Sequence, residues 1–178
     1  MASRSTDEGT VVAQPNRTSN LAPATEAMTL LVAAVIVHDC DNDRVLLLRR
    51  GPKAKFAAGL WDLPVGKSEP GEPVTVTAVR ELREETGVIV DPADLRVAHV
   101  IHAAWGVEGP GGFLTVVFAA HTWTGEPVNA EPTKHDRVRW VDTNDIPQDF
   151  VTTTASALDG YLRHGPDTTL HGWDQHDH

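Results

Sequence analysis

Cysteine is nearly missing from this chain: there is one, Cys40, in 178 residues. A lone thiol excludes an intramolecular disulfide framework, and the sequence carries no zinc pattern built on spaced cysteines. That usage suits a reducing, cytoplasmic setting. Positive charge is also short, with 15 Lys and Arg against 25 Asp and Glu and a formal net charge of −10. A surface that acidic repels phosphate backbones and anionic lipids, so neither nucleic acid nor a membrane is an expected partner. Long apolar runs are missing as well. Leu30 to Val37 is far too short to cross a bilayer. The first twenty residues, MASRSTDEGTVVAQPNRTSN, lack the continuous apolar stretch of a signal peptide. Aromatics make up only 6%.

What is present is an ordinary globular composition, 40% apolar and 22% charged, in a chain long enough for one domain with a sizeable core. Residues 1–27 have no period and read as a disordered tail, and residues 165–178 as a second, flexible one. Between them, residues 28–164 alternate strand and helix patterns. TLLVAAVIVHD reads as a buried strand, DCDND as a turn, and RVLLLRR as a second strand completing a hairpin. LWDLPVG is a short strand ending at Pro64. LRVAHVIHAAW, FLTVVFAAHTW and DRVRWVD are further strands, and TASALDGYLRH an amphipathic closing helix. The sum is an α/β domain, a mixed β-sheet between helices.

The segment GKSEPGEPVTVTAVRELREETGV, residues 66–88, is the most informative. Pro73 suits the first turn of a helix and Gly87 the position just past its end. Val76, Val79 and Leu82, three apart, predict the apolar face. Glu81, Glu84 and Glu85 share another face, and like charges at that spacing cost roughly 0.2–0.5 kcal/mol per pair. They also sit toward the C-terminal half, where the macrodipole disfavours anions. Two local rules broken together tend to mark a functional site. A divalent cation resolves the conflict, since Mg²⁺ takes oxygen ligands from a few carboxylates, waters and substrate phosphates. The alternative is a solvated helix face on which Arg80 and Arg83 pair weakly with the glutamates. The clustering alone does not separate the two.

The whole stretch does. Gly66, Glu72, Arg80, Glu81, Leu82, Glu84, Glu85, Gly87 and Val88 reproduce G-x5-E-x7-R-E-U-x-E-E-x-G-U, with U apolar, at every spacing. Chance odds of such a match are on the order of 10⁻⁷ from average composition. The pattern resembles the Nudix box, and the surrounding strands resemble the Nudix fold over roughly residues 28–164. The resemblance implies a hydrolase that cleaves a phosphoanhydride in a nucleoside diphosphate linked to a moiety X, with Mg²⁺ or Mn²⁺. It implies Glu81, Glu84 and Glu85 as metal ligands, one doubling as base, with the Val65 carbonyl completing the shell. Arg80 would pair with Glu72 and orient the glutamates beside Gly66, and many family members are homodimers.

Outside the box the resemblance favours the mutator-type (MutT-type) branch, which converts nucleoside triphosphates to monophosphate and pyrophosphate. GEPVNAEPTKHDRVRWVDTNDIPQDFV looks like the matching stretch of such enzymes. Glu108, set among glycines, is a candidate further metal ligand. ADP-ribose, dinucleoside polyphosphates and nucleotide sugars are alternative substrates, and a nucleotide-sensing module without hydrolysis is the non-enzymatic reading. The proline expected of ADP-ribose hydrolases is absent around Ala103 and Ala104, and VTTTAS replaces the paired aspartates that read oxidised guanine. Arg49, Arg50 and Lys67 are candidate phosphate contacts. Trp61 and Trp105 are candidate base platforms, alongside Phe113 and Trp123, with core packing the alternative. His38, His99, His102, His121 and His135 share no metal-like helical spacing and read as structural or surface residues.

Overall fold

The computed structural model describes residues 28–104 and 111–173. The central strand is β1, Leu30–Asp39. It pairs in parallel with β6, Phe113–Ala120, over eight residues, Leu30↔Phe113 through Val37↔Ala120. On its other side it meets the short antiparallel β4, Val65–Lys67. Beyond β6 lie the antiparallel β5, Arg96–Ala103, and the parallel β8, Thr168–His171. The end of β1 also joins a second group of strands. There β2, Arg44–Arg50, pairs with β7, His135–Asp142, and with β3, Trp61–Asp62.

The apolar run of β1 is continuous because both of its faces are buried. Ala33, Val35 and Val37 point to one core, with Ala78 and Leu82 of α1, Val74–Thr86. Ala34 and Ile36 point to the other, with Ala157 and Leu158 of α2, Thr152–Leu162. This is the expected mixed sheet between helices.

Four details differ from expectation. The β1–β2 hairpin is only two pairs long, His38↔Val45 and Asp39↔Arg44, because β2 turns away to pair with β7 along its whole length. LWDLPVG is two strands rather than one. Pro64 has no N–H for a ladder, and its carbonyl accepts the Val35 N–H at 3.0 Å, so the chain passes there from β3 in one group to β4 in the other. The apolar face of α1 runs Val74, Ala78, Leu82 at a spacing of four, and Val76 is exposed. Finally, residues 165–178 are not wholly a loose tail, since Thr168–His171 add a strand to the open edge of β5. Its backbone bonding rather than an apolar pattern holds it, and Leu170 is exposed.

Candidate active site

The carboxylate helix α1 lies against β4, and two contacts position it. Glu85 Oε2 accepts the Val65 backbone N–H at 3.0 Å. Glu81 lies over Gly66 so closely that a Cβ built on Gly66 would fall within the Glu81 carboxyl group. Gly66 has no left-handed backbone to satisfy. It is needed because any side chain would take the space of the carboxylate. Glu81 and Glu85 therefore meet consecutive residues of one strand. The helix stops promptly after them: Gly87, at φ 72°, returns its N–H to the Arg83 carbonyl at 2.9 Å.

Arg80 is the hub. It donates from Nε and Nη2 to the two oxygens of Glu72, at 2.8 and 3.0 Å, the bidentate geometry that a guanidinium allows and an ammonium does not. Its Nη1 donates to Glu81 Oε1 at 2.7 Å and to Glu84 Oε2 at 3.3 Å, and Nη2 also to the Lys67 carbonyl at 3.1 Å. Glu72 is held in turn by the Thr77 hydroxyl at 2.7 Å and the Glu69 N–H at 3.1 Å. The first acid of the segment thus anchors the arginine that spaces the later ones.

The charges differ in environment. The Arg80 and Thr77 hydrogen bonds hold the Glu72 carboxyl down to about 2. Glu85 is buried, and burial pushes its pKa well above the usual range. The Val65 N–H opposes that shift, while Glu81, Asp62 and Glu131 add to it. Burial also raises Glu81, against the pull of Arg80. Glu84 is the exposed member.

Two further residues stand at this site that the sequence reading did not assign to it. The loop before β7 crosses the end of α1, with Val128 N–H on the Thr86 carbonyl at 2.9 Å and Ala130 N–H on the Glu85 carbonyl at 3.2 Å. It delivers Glu131 and His135 to Glu85, their ligand atoms all within 4.8 Å of one another. His135 is buried, Nε2 lying 3.5 Å from Glu85 Oε1, so it is neither a surface residue nor remote from the site. The signal lies in Glu131-Pro132-Thr133-Lys134, inside the stretch that resembles the mutator-type branch.

A family model described as the NUDIX domain matches residues 28–160. The chain belongs to the Nudix family. It is 31% identical over 105 residues to YvcI, an uncharacterized Nudix hydrolase of Bacillus subtilis, covering 59% of this chain and 62% of that one. It is 36% identical over 95 residues to the CTP pyrophosphohydrolase of Escherichia coli, covering 49% and 67%. Among solved structures it resembles the MutT NUDIX hydrolase of Burkholderia pseudomallei, with TM-score 0.64 and 29% identity over 74% of this chain and 97% of that one. The chain spans less than two thirds of YvcI, and 37% and 22% of two longer animal relatives.

Around this Nudix centre the other sequence candidates fall as follows. Arg50 donates to the buried Asp62 at 3.0 Å, and Arg49 lies between Asp136 at 3.5 Å and Asp149 at 4.0 Å. Both arginines thus already face carboxylates. Lys67 ends β4 beside the hub, its carbonyl on Arg80. Trp61 is buried in the core beneath the Arg139 guanidinium, 4.7 Å from the ring centroid. Trp105 and Glu108 lie outside the described residues. Trp123 packs on Trp140, with centroids 5.1 Å apart.

The residues present fit a divalent cation. Glu81, Glu84, Glu85 and Glu131 offer hard oxygen donors, the set that Mg²⁺ and Mn²⁺ take. Buried His135 Nδ1 has no hydrogen-bond partner among the described residues, nor has Oδ1 of Asn129, whose amide donates to the His135 carbonyl at 2.8 Å.

Proposed function

We propose that this Nudix domain is a Mg²⁺- or Mn²⁺-dependent pyrophosphohydrolase whose substrates are nucleoside triphosphates, cleaved to monophosphate and pyrophosphate. The observation that carries this reading is the convergence of Glu81 and Glu85 on Gly66 and Val65, with Arg80 binding Glu72, Glu81 and Glu84. Glu81, Glu84 and Glu85 would hold the cation, with Glu131 beside them. The bound ion would supply charge neutralisation for the phosphates and acidify water. The chain's own part is positioning and proton transfer. Arg80 keeps Glu81 and Glu84 from collapsing onto solvent, and Glu72 keeps Arg80 in place. A carboxylate of the cluster takes the proton of the attacking water. Burial raises the pKa of both Glu81 and Glu85, and a bound cation would oppose that shift. The exposed cysteine and acidic surface suit a cytoplasmic enzyme with a small-molecule substrate, acting alone or as a homodimer.

The nucleotide class follows from the family, and the triphosphate assignment from the resemblance of residues 125–151 together with the E. coli relative named for CTP. The test is release of phosphate or pyrophosphate with Mg²⁺ from canonical and oxidised nucleoside triphosphates, ADP-ribose, dinucleoside polyphosphates and nucleotide sugars. Chelator-sensitive turnover of triphosphates supports the reading. Turnover confined to another class overturns the substrate assignment, and binding without turnover overturns the hydrolase itself.

A further inference from the structure

On the α2 side of the sheet, the ends of β1 and β6 bring together three side chains that the hydrolase reading does not use. They are His38, Cys40 and His121, 83 residues apart in sequence from first to last and adjacent in space. Cys40 Sγ lies 3.2 Å from His121 Nδ1. Tyr161 of α2 closes the group, its hydroxyl 2.9 Å from His38 Nδ1 and 3.5 Å from His121 Nε2. One ligand atom from each of the three lies within 4.8 Å of the other two. A tetrahedral ion with a metal–sulfur bond of about 2.3 Å and a metal–nitrogen bond of about 2.0 Å needs its sulfur and nitrogen donors about 3.5 Å apart. The Cys40–His121 pair already stands near that separation. His38 is half-buried, while Cys40 and His121 are exposed, so an ion can enter from solvent.

The donor set differs in kind from that of the carboxylate helix. One thiolate and two imidazoles select zinc and its neighbours, whereas carboxylates select magnesium. We infer that His38, Cys40 and His121 form a second metal site, for Zn²⁺ or a similar transition-metal ion, with its fourth position open to water or Tyr161. Binding takes the Cys40 thiol as thiolate and releases its proton to solvent. An ion there joins the end of β1 to the end of β6 beneath α2.

The test is a Co²⁺ titration of the full chain in excess Mg²⁺, read by absorption. Cys40 is the only cysteine, so a thiolate-to-cobalt charge-transfer band reports on this site and on no other. We expect the band to saturate at one ion per chain with tetrahedral ligand-field bands, and Zn²⁺ to bleach it. Cys40→Ser should abolish it. His38→Gln and His121→Gln should each weaken binding at least tenfold, and Glu85→Gln should leave it unchanged. No band, a band indifferent to both histidine variants, or saturation at half an ion per chain with dimer formation would each overturn the site. The outcome is independent of nucleotide turnover.

Discussion

Gly66→Ala separates the fold from the chemistry more cleanly than any change to a charged residue. The backbone at Gly66 lies outside the left-handed region, so alanine can adopt it. Its Cβ would coincide with the Glu81 carboxyl, to which all three of its nearest atoms would belong. To restore carbon–carbon packing at about 3.5 Å, the carboxylate has to retreat by roughly 1.5 Å. The moving part is the end of a flexible side chain, and replacing glycine stiffens the unfolded chain, which stabilises by roughly 0.4–1 kcal/mol where no strain opposes it. The two effects leave Tm nearly unchanged. Catalysis is less forgiving, because a 1 Å misplacement costs on the order of 100-fold. The shift also breaks the 2.7 Å bond to Arg80. We expect kcat/KM for the substrate found by the panel to fall at least 100-fold with Tm within a few degrees of wild type. Wild-type kcat/KM in a folded Gly66→Ala protein would refute the placement of Glu81 in the active centre. A large drop in Tm would show that Gly66 serves the fold instead.

Glu85→Gln keeps shape and an oxygen for the Val65 N–H but removes the buried charge. Turnover should fall by two orders of magnitude or more while Tm holds or rises, measured by initial rates and thermal melts. Arg80→Lys loses the fork that grips both Glu72 oxygens. We expect at least a tenfold loss of kcat/KM, and weaker acid resistance in a pH series of melts. The reason is that Glu72, depressed from 4.5 to about 2 in the fold, contributes stability above 4.5 that disappears as pH falls toward 2. Asp62 behaves oppositely. Burial raises it from 3.8 to about 6 despite Arg50 and the Thr154 hydroxyl. The folded state then holds its proton across that window, and stability falls as pH rises through it by up to about 3 kcal/mol. Asp62→Asn should remove that slope, although its amide then faces Arg50. Identical slopes in urea melts from pH 4 to 7 would show that Asp62 is not the group responsible.

The box was legible because every one of its constraints is local. Gly87 ends a helix within one turn, Arg80 reaches acids one, four and eight residues away, and three glutamates on one face repel whatever the rest of the chain does. The long β1 run showed its burial on both faces in the same local way. Other features depended on contacts that no local pattern encodes. Val76 and Ala78 fit a helical stripe equally well, and only the rotation that puts Glu81 over Gly66 turns Val76 out to solvent. Thr168–His171 has no apolar alternation, so its place on the edge of β5 rests on backbone pairing with a strand 68 residues earlier. Glu131 and His135 reach Glu85 from about 50 residues away because residues 128–130 bond to the end of α1. By itself the sequence determined the family and the shared helix face of Glu81, Glu84 and Glu85, since spacing along one segment is enough for those, whereas the need for Gly66 came from the approach of Glu81 to β4. Only the tertiary structure decided which buried groups share the field of Glu85 and that His38, Cys40 and His121 meet, because burial and ligand distance are properties of chain segments far apart in sequence.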